Sequence, residues 1–225
     1  MIYYTPIHEE EVEKRPVLEK GLPRMTVKRV HIRDCAEVLP GYSAKGAIVD
    51  EPGGAVQVIT AQHLSRGEPY RYQKEHKLRI RTPRGADRYL LDSGDILFMS
   101  RGVNNYAVVL EAFPRPAIAP LTFFILKPKP IVVPAYLAWC LNQELVKAQL
   151  NEIRTGAGTP MIPRREFGEI TIPLPPLLTQ RRIAVLADLQ TRERILLQAL
   201  TEETERLHRI TGQQLLFRLS HDKKG

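Results

Sequence analysis

The densest group of chemically active side chains runs from Arg66 to Arg88 and is strongly cationic. It holds eight Lys or Arg residues against three acidic residues, with Tyr70 and Tyr72 between them. Lysine and arginine on an open face bind the phosphates of a polyanion by charge, without reading its sequence. The formal net charge of +8 over 225 residues agrees with such a partner. The segment therefore predicts contact with nucleic acid, and a solvated surface is the alternative.

Within this segment the stretch "KLRIR" (77–81) alternates cationic and apolar residues. As a strand it would point Lys77, Arg79 and Arg81 to one face at intervals of about 6.6 Å, with Leu78 and Ile80 toward the core. We expect phosphate contacts from six cations of the segment: Arg66, Arg71, Lys77, Arg79, Arg81 and Arg84.

A second polar stretch, "SRGVNNY" (100–106), lies between two predicted strands and carries groups that can read bases. Arginine can bond guanine at O6 and N7, and asparagine can bond adenine at N6 and N7. Arg101, Asn104 and Asn105 are therefore predicted to contact bases. The Asn-Asn pair also suits a hairpin turn that needs a positive φ, and this alternative stays open.

One motif offers an enzymatic alternative. Glu75, His76 and Lys77 have the E-x-K spacing in which a carboxylate and a lysine serve a metal-activated water, with Asp50 as an upstream ligand. This pattern describes a small metal-dependent DNA endonuclease. An E-x-K in a basic strand also arises easily by chance.

No other catalytic, metal or cofactor motif is evident. The sequence has no NPPY-type methyltransferase motif and no G-x-x-x-x-G-K loop, and "GAG" (156–158) lacks the third glycine of a dinucleotide site. Cys35 and Cys140 have no zinc-type spacing and fit buried thiols in a reducing cytoplasm. His63 and His76 lack further ligands and are expected to be packed or surface residues. We expect no catalytic residue, no metal and no cofactor.

The elements that carry these residues are mostly strands in the first half of the chain. Enrichment in β-branched and aromatic residues predicts strands in MTVKRVHI, AVQVI, KLRIR, DILFMS, YAVVLEA and PLTFFILK, the fourth and fifth as a hairpin pair. A helix is predicted at PAYLAWCLNQELVKAQLNEI (134–153), followed by a strand at FGEITIPL (167–174). This order predicts an α+β fold.

Pro175 and Pro176 are expected to end the sheet, because neither can donate to a strand ladder. A long helix follows, with a 3-4 spacing that is mostly apolar and typical of a coiled-coil seam. Its positions are Leu186, Leu189, Glu193, Leu196, Leu200, Glu203, Leu207, Ile210, Gln214 and Phe217. A helix folded back on its own domain is the alternative, but about thirty helical residues extend ~45 Å, longer than a small domain.

The order of these parts resembles the specificity (S) subunits of type I restriction-modification systems, in particular one target recognition domain with its following helix. The resemblance covers most of residues 25–215. It is carried by "LDSGDILFMSRG" (91–102), "VVPAYLAWCLNQE" (132–144) and "RTGAGTPMIPRREFGEITIPLPPLLTQRRIAVLADL" (154–189). Thr179 stands where the family commonly has glutamate before Gln180. A full S subunit carries two such units, and this chain carries one.

The resemblance implies a non-catalytic subunit that gives sequence specificity to a DNA methyltransferase (M) subunit and, through it, to a restriction (R) subunit. One recognition domain reads few base pairs, so we expect a homodimer on double-stranded DNA. The helices would pair antiparallel and hold the heads over an inverted, bipartite site with half-site centres on the order of 13 base pairs apart. The predicted dimerisation residues are Leu186, Leu189, Leu196, Leu200, Leu207 and Ile210.

The resulting prediction has three parts: an N-terminal arm (1–24), a mixed, β-rich target recognition domain (25–177), and a dimerisation and spacer helix (178–225). A dimeric DNA-binding regulator would share the basic face and the coiled coil, and a neighbouring methyltransferase gene would separate the two readings. No segment has the length of a membrane span or the features of a signal peptide, so a cytoplasmic protein without membrane contact is expected.

Overall fold

The computed structural model describes residues 27–82, 85–156 and 158–221, so the predicted N-terminal arm lies outside the described residues. Its strands are β1 Lys28–His31, β2 Ala36–Pro40, β3 Val56–Val58, β4 Tyr70–Arg71, β5 Arg79–Ile80, β6 Ile96–Met99, β7 Ala107–Ala112, β8 Ala117–Ile118, β9 Phe123–Pro128 and β10 Thr171–Leu174. Its helices are α1 Ile32–Cys35, α2 Pro134–Leu141, α3 Glu144–Ile153, α4 Arg164–Glu169 and α5 Leu177–His221.

The centre of the molecule is a mixed sheet with strand order β2-β9-β6-β7-β4. Strands β6 and β7 form the predicted antiparallel hairpin, and the short β4 adds in parallel to β7. Successive residues of β6 enter different cores: Phe98 packs on the helix side and Leu97 on the other. Because both faces of the sheet are covered, the sequences of β6 and β9 are continuous apolar runs and do not alternate between apolar and polar residues.

The aspartate of the "SGD" turn fixes the entry into β6. The buried Asp95 carboxylate accepts a hydrogen bond from the Asp92 amide at 2.9 Å and one from Lys127 Nζ at 3.0 Å. Lys127 lies on β9, the neighbour of β6. The turn is therefore tied to the strand beside it by a charge-assisted bond.

The helix predicted for residues 134–153 is wrong as a single element, because it breaks into α2 and α3 at Asn142 and Gln143. The Asn142 side chain accepts a hydrogen bond from the Ala107 amide and donates one to the Ala107 carbonyl, both at 2.9 Å. Asn142 thus satisfies both backbone groups of a strand residue, as a neighbouring strand would. The helix is therefore interrupted at a residue whose side chain completes the hydrogen bonding of β7.

The strand predicted at 167–174 is half right. Its first residues belong to α4, and only Thr171–Leu174 is extended, paired antiparallel with β1. Phe167 is fully buried and stacks on Phe98 with ring centroids 4.4 Å apart. Packing of that ring on the central sheet therefore decides the local structure over strand propensity.

The strand predicted at "KLRIR" (77–81) is also shorter than expected. Only Arg79–Ile80 is extended, in a three-stranded sheet of order β5-β3-β8, and Lys77 follows a 3₁₀ turn at Lys74–His76. The inward direction of Ile80 is as predicted, since Ile80 is buried against Val56 and Val58. The cations therefore project from turns around this sheet more than from a strand.

Helix α5 begins at Leu177, directly after Pro176, as the two prolines predict. Side chains near its base, such as Ile183, pack on the core beneath α2. From Arg192 to Ser220 every residue is exposed, so the helix leaves the body of the fold. Among the described helices, none combines the length with the apolar run that a bilayer span needs. The α+β class with a long C-terminal helix is confirmed.

Candidate nucleic-acid interface

The predicted phosphate-contacting cations lie on the loops and short strands between residues 66 and 81, which we call the cationic segment. Arg66, Arg71, Lys77 and Arg81 are exposed, and Arg79 is half-buried. Two of them pair with surface acids: Arg71 Nε lies 2.6 Å from Glu111, and Arg81 Nε lies 3.4 Å from Glu51. Arg84 lies outside the described residues.

An aromatic stack holds the cationic segment in shape. The rings of His63 and His76 are stacked with centroids 4.9 Å apart, and His76 also stacks on Tyr70 at 5.7 Å. The amide of Gln57 donates to the His76 carbonyl at 2.9 Å. These contacts tie the middle of the segment to His63 and to Gln57 of β3. The arginines of the segment therefore project from a packed part of the fold.

His63 is held in its neutral form by these surroundings. Its Nδ1 accepts a hydrogen bond from the Thr60 amide at 3.1 Å, a role that requires an unprotonated nitrogen. Burial, with a smaller contribution from the nearby His76, lowers the pKa of His63 below its ordinary 6.5. The sequence offered a packed role for both histidines, and their stacking on one another is visible only in the fold.

The predicted base-reading residues separate into two groups. Arg101 and Asn104 are exposed at the turn between β6 and β7. Asn105 is 7% exposed, donates to the Met99 carbonyl at 2.8 Å and accepts from Arg154 Nη2 at 2.8 Å. Because the side chain is buried and both ends of its amide bond inside the protein, the structure does not support Asn105 as a base-contacting residue.

A second loop supports the same turn. Gly102 donates to the Pro160 carbonyl at 2.7 Å, and an isolated bridge joins Arg101 to Met161. The glycine turn that begins at Thr155 therefore lies directly beside the 101–105 turn. We call the two together the tip, residues 101–105, 154–156 and 158–161. The sequence shows this glycine turn but not that it lies beside the 101–105 turn.

The tip and the cationic segment lie toward opposite ends of β7. Phe98 before the tip pairs with Ala107, whereas Arg71 pairs with Ala112 at the other end of the strand. Five residues of strand span about 17 Å. The sequence-predicted residues thus form two patches and not one.

A groove runs between the cationic segment, α2 and the base of α5. Its rim carries Arg66 and Arg71 from the segment and Arg192 and Arg194 from the helix. Thr191 Oγ1 donates to the Gly67 carbonyl at 3.2 Å, which joins helix and segment directly.

The predicted seam residues of α5 face solvent. Their exposed fractions run from 41% for Ile210 to 69% for Leu196, and Leu200 and Leu207 stand at 64% and 61%. A helix folded back on its own domain would bury these side chains, so that alternative does not describe α5. Large apolar side chains in an exposed row mark an interaction surface.

The residues of the proposed nuclease pattern belong to no metal-type cluster in the described part of the chain. Asp50 accepts a hydrogen bond from the Arg79 amide at 2.7 Å, while Glu75 stands exposed in its 3₁₀ turn. Across the described ranges, no three His, Cys, Asp or Glu side chains come together as a metal site would require.

The fold is similar to that of solved chains of type I restriction-modification systems. One is a chain from a study of complex assembly and conformational transition of a type I system, with a TM-score of 0.60 and 18% identity over 84% of this chain and 44% of that one. Another is the HsdS subunit from Thermoanaerobacter tengcongensis, with a TM-score of 0.57 and 17% identity over 79% of this chain and 40% of that one. The chain thus spans less than half the length of either.

The sequence itself gives the family. The family model of the type I restriction modification DNA specificity domain matches residues 26–205, and the chain belongs to this family. A search of curated proteins found no match. The resemblance drawn from the motifs at 91–102, 132–144 and 154–189 is therefore confirmed.

Proposed function

We propose that the chain recognises a sequence in double-stranded DNA and directs a DNA methyltransferase subunit, and through it a restriction subunit, to that site. The observation that carries the proposal is membership of the DNA specificity domain family over residues 26–205. In this proposal residues 25–177 are the recognition domain and the chain contributes no catalytic group of its own.

The two patches of the head have different tasks in this proposal. The cationic segment contacts phosphates through Arg66, Arg71, Lys77, Arg79 and Arg81, since exposed cations give affinity and register. The tip contacts base edges through Arg101 and Asn104, because both side chains are exposed on a turn that two loops support. Their separation of about 17 Å is five base pairs of duplex, within the footprint of one head.

The exposed seam of α5 is proposed to pair with a second copy of the chain. Antiparallel pairing about the level of Gln198 sets Leu186 against Ile210, Leu189 against Leu207, and Leu196 against Leu200 of the second copy. The same register sets Glu193 against Glu203, so polar positions meet polar positions. The pattern is thus compatible with a two-fold axis over residues 186–210 of the seam.

The polar layers of this dimer would fix its register. Arg192 is adjacent to Glu193 in sequence, and Arg206 lies 3.4 Å from Glu203 one turn along the helix, so each polar layer brings two carboxylates together with two guanidinium groups. A polar position within a coiled-coil seam lowers stability but excludes shifted pairings. Register matters here because a shift by one heptad moves each head by about 10 Å along the coil.

Random-sequence duplexes are the appropriate probe, because the recognised sequence is unknown. The purified chain is mixed with a pool long enough to hold two half-sites, and the bound fraction is sequenced. We expect an inverted repeat with an unread gap, half-site centres on the order of 13 base pairs apart. Enrichment of one asymmetric motif would refute the homodimer, and no enrichment at all would refute sequence recognition.

A second assay addresses the nuclease alternative. The chain alone, with magnesium or S-adenosylmethionine, is expected neither to cut nor to methylate DNA. Cleavage that Glu75→Ala abolishes would replace the proposal with a metal-dependent endonuclease.

A further inference from the structure

Helix α5 is attached to the head at two points, and the first is the side chain of Gln180. This residue is 1% exposed. Its Oε1 accepts from the Val133 amide at 2.8 Å, and its Nε2 donates to the carbonyls of Pro175 at 2.8 Å and Ile131 at 3.1 Å. Val133 caps α2 and no side chain of its own completes that cap. One amide group therefore joins the start of α2, the last residues before α5, and α5 itself.

The second attachment is the bond from Thr191 to the Gly67 carbonyl. Thr191 lies eleven residues after Gln180, about 16 Å along the helix. Between them Ala184 and Ala187 line the groove beside α2, as Ala138 of α2 does, and the two helices are in contact. A helix held at one point can pivot about it. A helix held at two points 16 Å apart has a fixed direction relative to the head.

The face that makes these attachments is opposite the seam. Leu189 is two residues from both Ala187 and Thr191, about 200° around the helix. The head therefore occupies one side of α5 and leaves seam residues 186–210 exposed on the other. The orientation of the head relative to the coil is then set by these two attachments together with the packing of the base of α5 on α2.

We infer that Gln180 and the Thr191–Gly67 contact are positioning groups that set the length of the unread gap in the DNA site; the inference rests on the proposed bipartite function. The tip lies about 17 Å beyond the cationic segment, which contacts the helix at Gly67. A rotation of 10° about that contact moves the tip by roughly 3 Å, close to the ~3.4 Å rise of a base pair. Because the dimer has two heads, a displacement of each changes the distance between the half-sites by up to twice this amount.

The test uses variants that loosen the attachments without touching the proposed DNA-contacting residues. Gln180→Met removes the amide and keeps the side-chain length, and Thr191→Val removes the hydroxyl at constant shape. Thr201→Val is the matched control, because Thr201 is on the same helix and bonds only the Leu197 carbonyl of its own helix, at 2.9 Å. Each purified chain selects from the same random-sequence duplex pool.

The wild-type chain and Thr201→Val should enrich one gap length about tenfold or more over gaps two base pairs longer or shorter, since a misplaced head loses its base contacts. Gln180→Met/Thr191→Val should select the same half-site with that preference reduced to about threefold or less. If the double variant does not fold, Thr191→Val alone should still broaden the gap distribution. A role confined to stability would lower the yield of complex and leave the gap length unchanged.

Two results overturn the inference, and they differ in what else they overturn. An unchanged gap preference in folded Thr191→Val and in the double variant removes the positioning role and leaves bipartite recognition intact. A wild-type chain that selects half-sites at every gap length removes the proposed bipartite function and this inference with it.

Discussion

At the scale of single residues, exposure and hydrogen bonding divide side chains that are equivalent in sequence. Asn104 and Asn105 are neighbours of one type, yet the first is exposed and the second is fully engaged by Met99 and Arg154. Exposed ion pairs such as Arg81–Glu51 contribute little to stability, so these cations remain available to phosphates.

Replacing Arg79 and Arg81 together by alanine should weaken binding to all duplexes alike. If about six phosphates are contacted, log affinity falls with log salt at a slope near −5, and the double variant should flatten it by ~2. Binding titrations over a series of salt concentrations measure the slope. The control Arg209→Ala/Arg218→Ala removes the same charge from distal α5 and should leave the slope unchanged. A salt-independent affinity would refute the assignment of this segment to phosphates.

Arg101→Ala should act on the cognate site alone. Loss of a bidentate contact to guanine costs roughly 1–3 kcal/mol of discrimination, and random DNA should be bound as before. Competition between the selected site and unrelated duplex measures the difference. An equal loss on both duplexes would make Arg101 a backbone contact.

Asn105→Ala should lower stability rather than specificity. The substitution leaves the Met99 carbonyl and the Arg154 guanidinium without their partner in a buried place, which costs about 1–3 kcal/mol. Thermal or urea unfolding measures the change. Asn104→Ala, one residue away and exposed, is the matched control and should unfold as the wild type does; equal stability of the two variants would contradict the structure.

At the scale of elements, side chains from distant segments decide where helices and strands stop. Asn142 ends α2 because its amide completes the hydrogen bonds of Ala107, and Gln180 starts α5 by bonding the turn before it. The cationic segment has little regular structure and relies on the stack of His63, His76 and Tyr70. Its shape should therefore depend on the charge of that stack.

Stability should fall as the pH drops below about 6.5. The pKa of His63 is lowered in the folded protein, so the unfolded chain binds more protons between that lowered value and 6.5. Stability is then complete above 6.5 and is lost as the pH falls through the folded pKa. Thermal midpoints measured between about pH 5 and 8 should show this loss, and His63→Gln should reduce it.

The matched control for this titration is His208→Gln, because His208 is exposed on α5. That variant should keep the wild-type dependence on pH. The opposite pattern, with His208→Gln reducing the loss and His63→Gln retaining it, would show that the stack does not carry the titration.

At the scale of the whole molecule, one face of α5 contacts the head near the base of the helix, and the opposite face is exposed along its length. Small residues and Gln180 occupy the first face, and a row of leucines occupies the second. Such a division gives a rigid arm with an exposed seam. In the proposed dimer this arm sets the distance between two identical heads.

Leu200→Glu with Leu207→Glu should split the dimer and leave the head folded. Both residues are more than 60% exposed in the single chain, so their replacement costs the monomer little, while two charges per helix enter the paired seam. Solution mass should fall from two chains to one at micromolar concentration. Glu202→Ala with Glu205→Ala, on the outer face of the same turns, is the control and should remain dimeric. A wild-type chain that stays monomeric on DNA would refute the dimer.

The sequence alone determined the class of the fold, the β6–β7 hairpin and the start of α5. Each depends on local chemistry: apolar runs bounded by turn residues, and two prolines that cannot continue a sheet. The family resemblance also lay within the sequence, because its motifs are short and contiguous. The exposure of the α5 seam was predicted from its 3-4 spacing together with the length of the helix, which exceeds that of a small domain.

Only the tertiary structure decided how these parts act on each other. The break at Asn142, the helix at Phe167, the engagement of Asn105 by Arg154 and the anchor at Gln180 all join residues that are far apart in sequence. A one-dimensional pattern records the period of each segment but not which distant backbone group a polar side chain will meet. A buried amide needs hydrogen-bond partners, and folding alone brings a partner from a distant part of the sequence within reach of it.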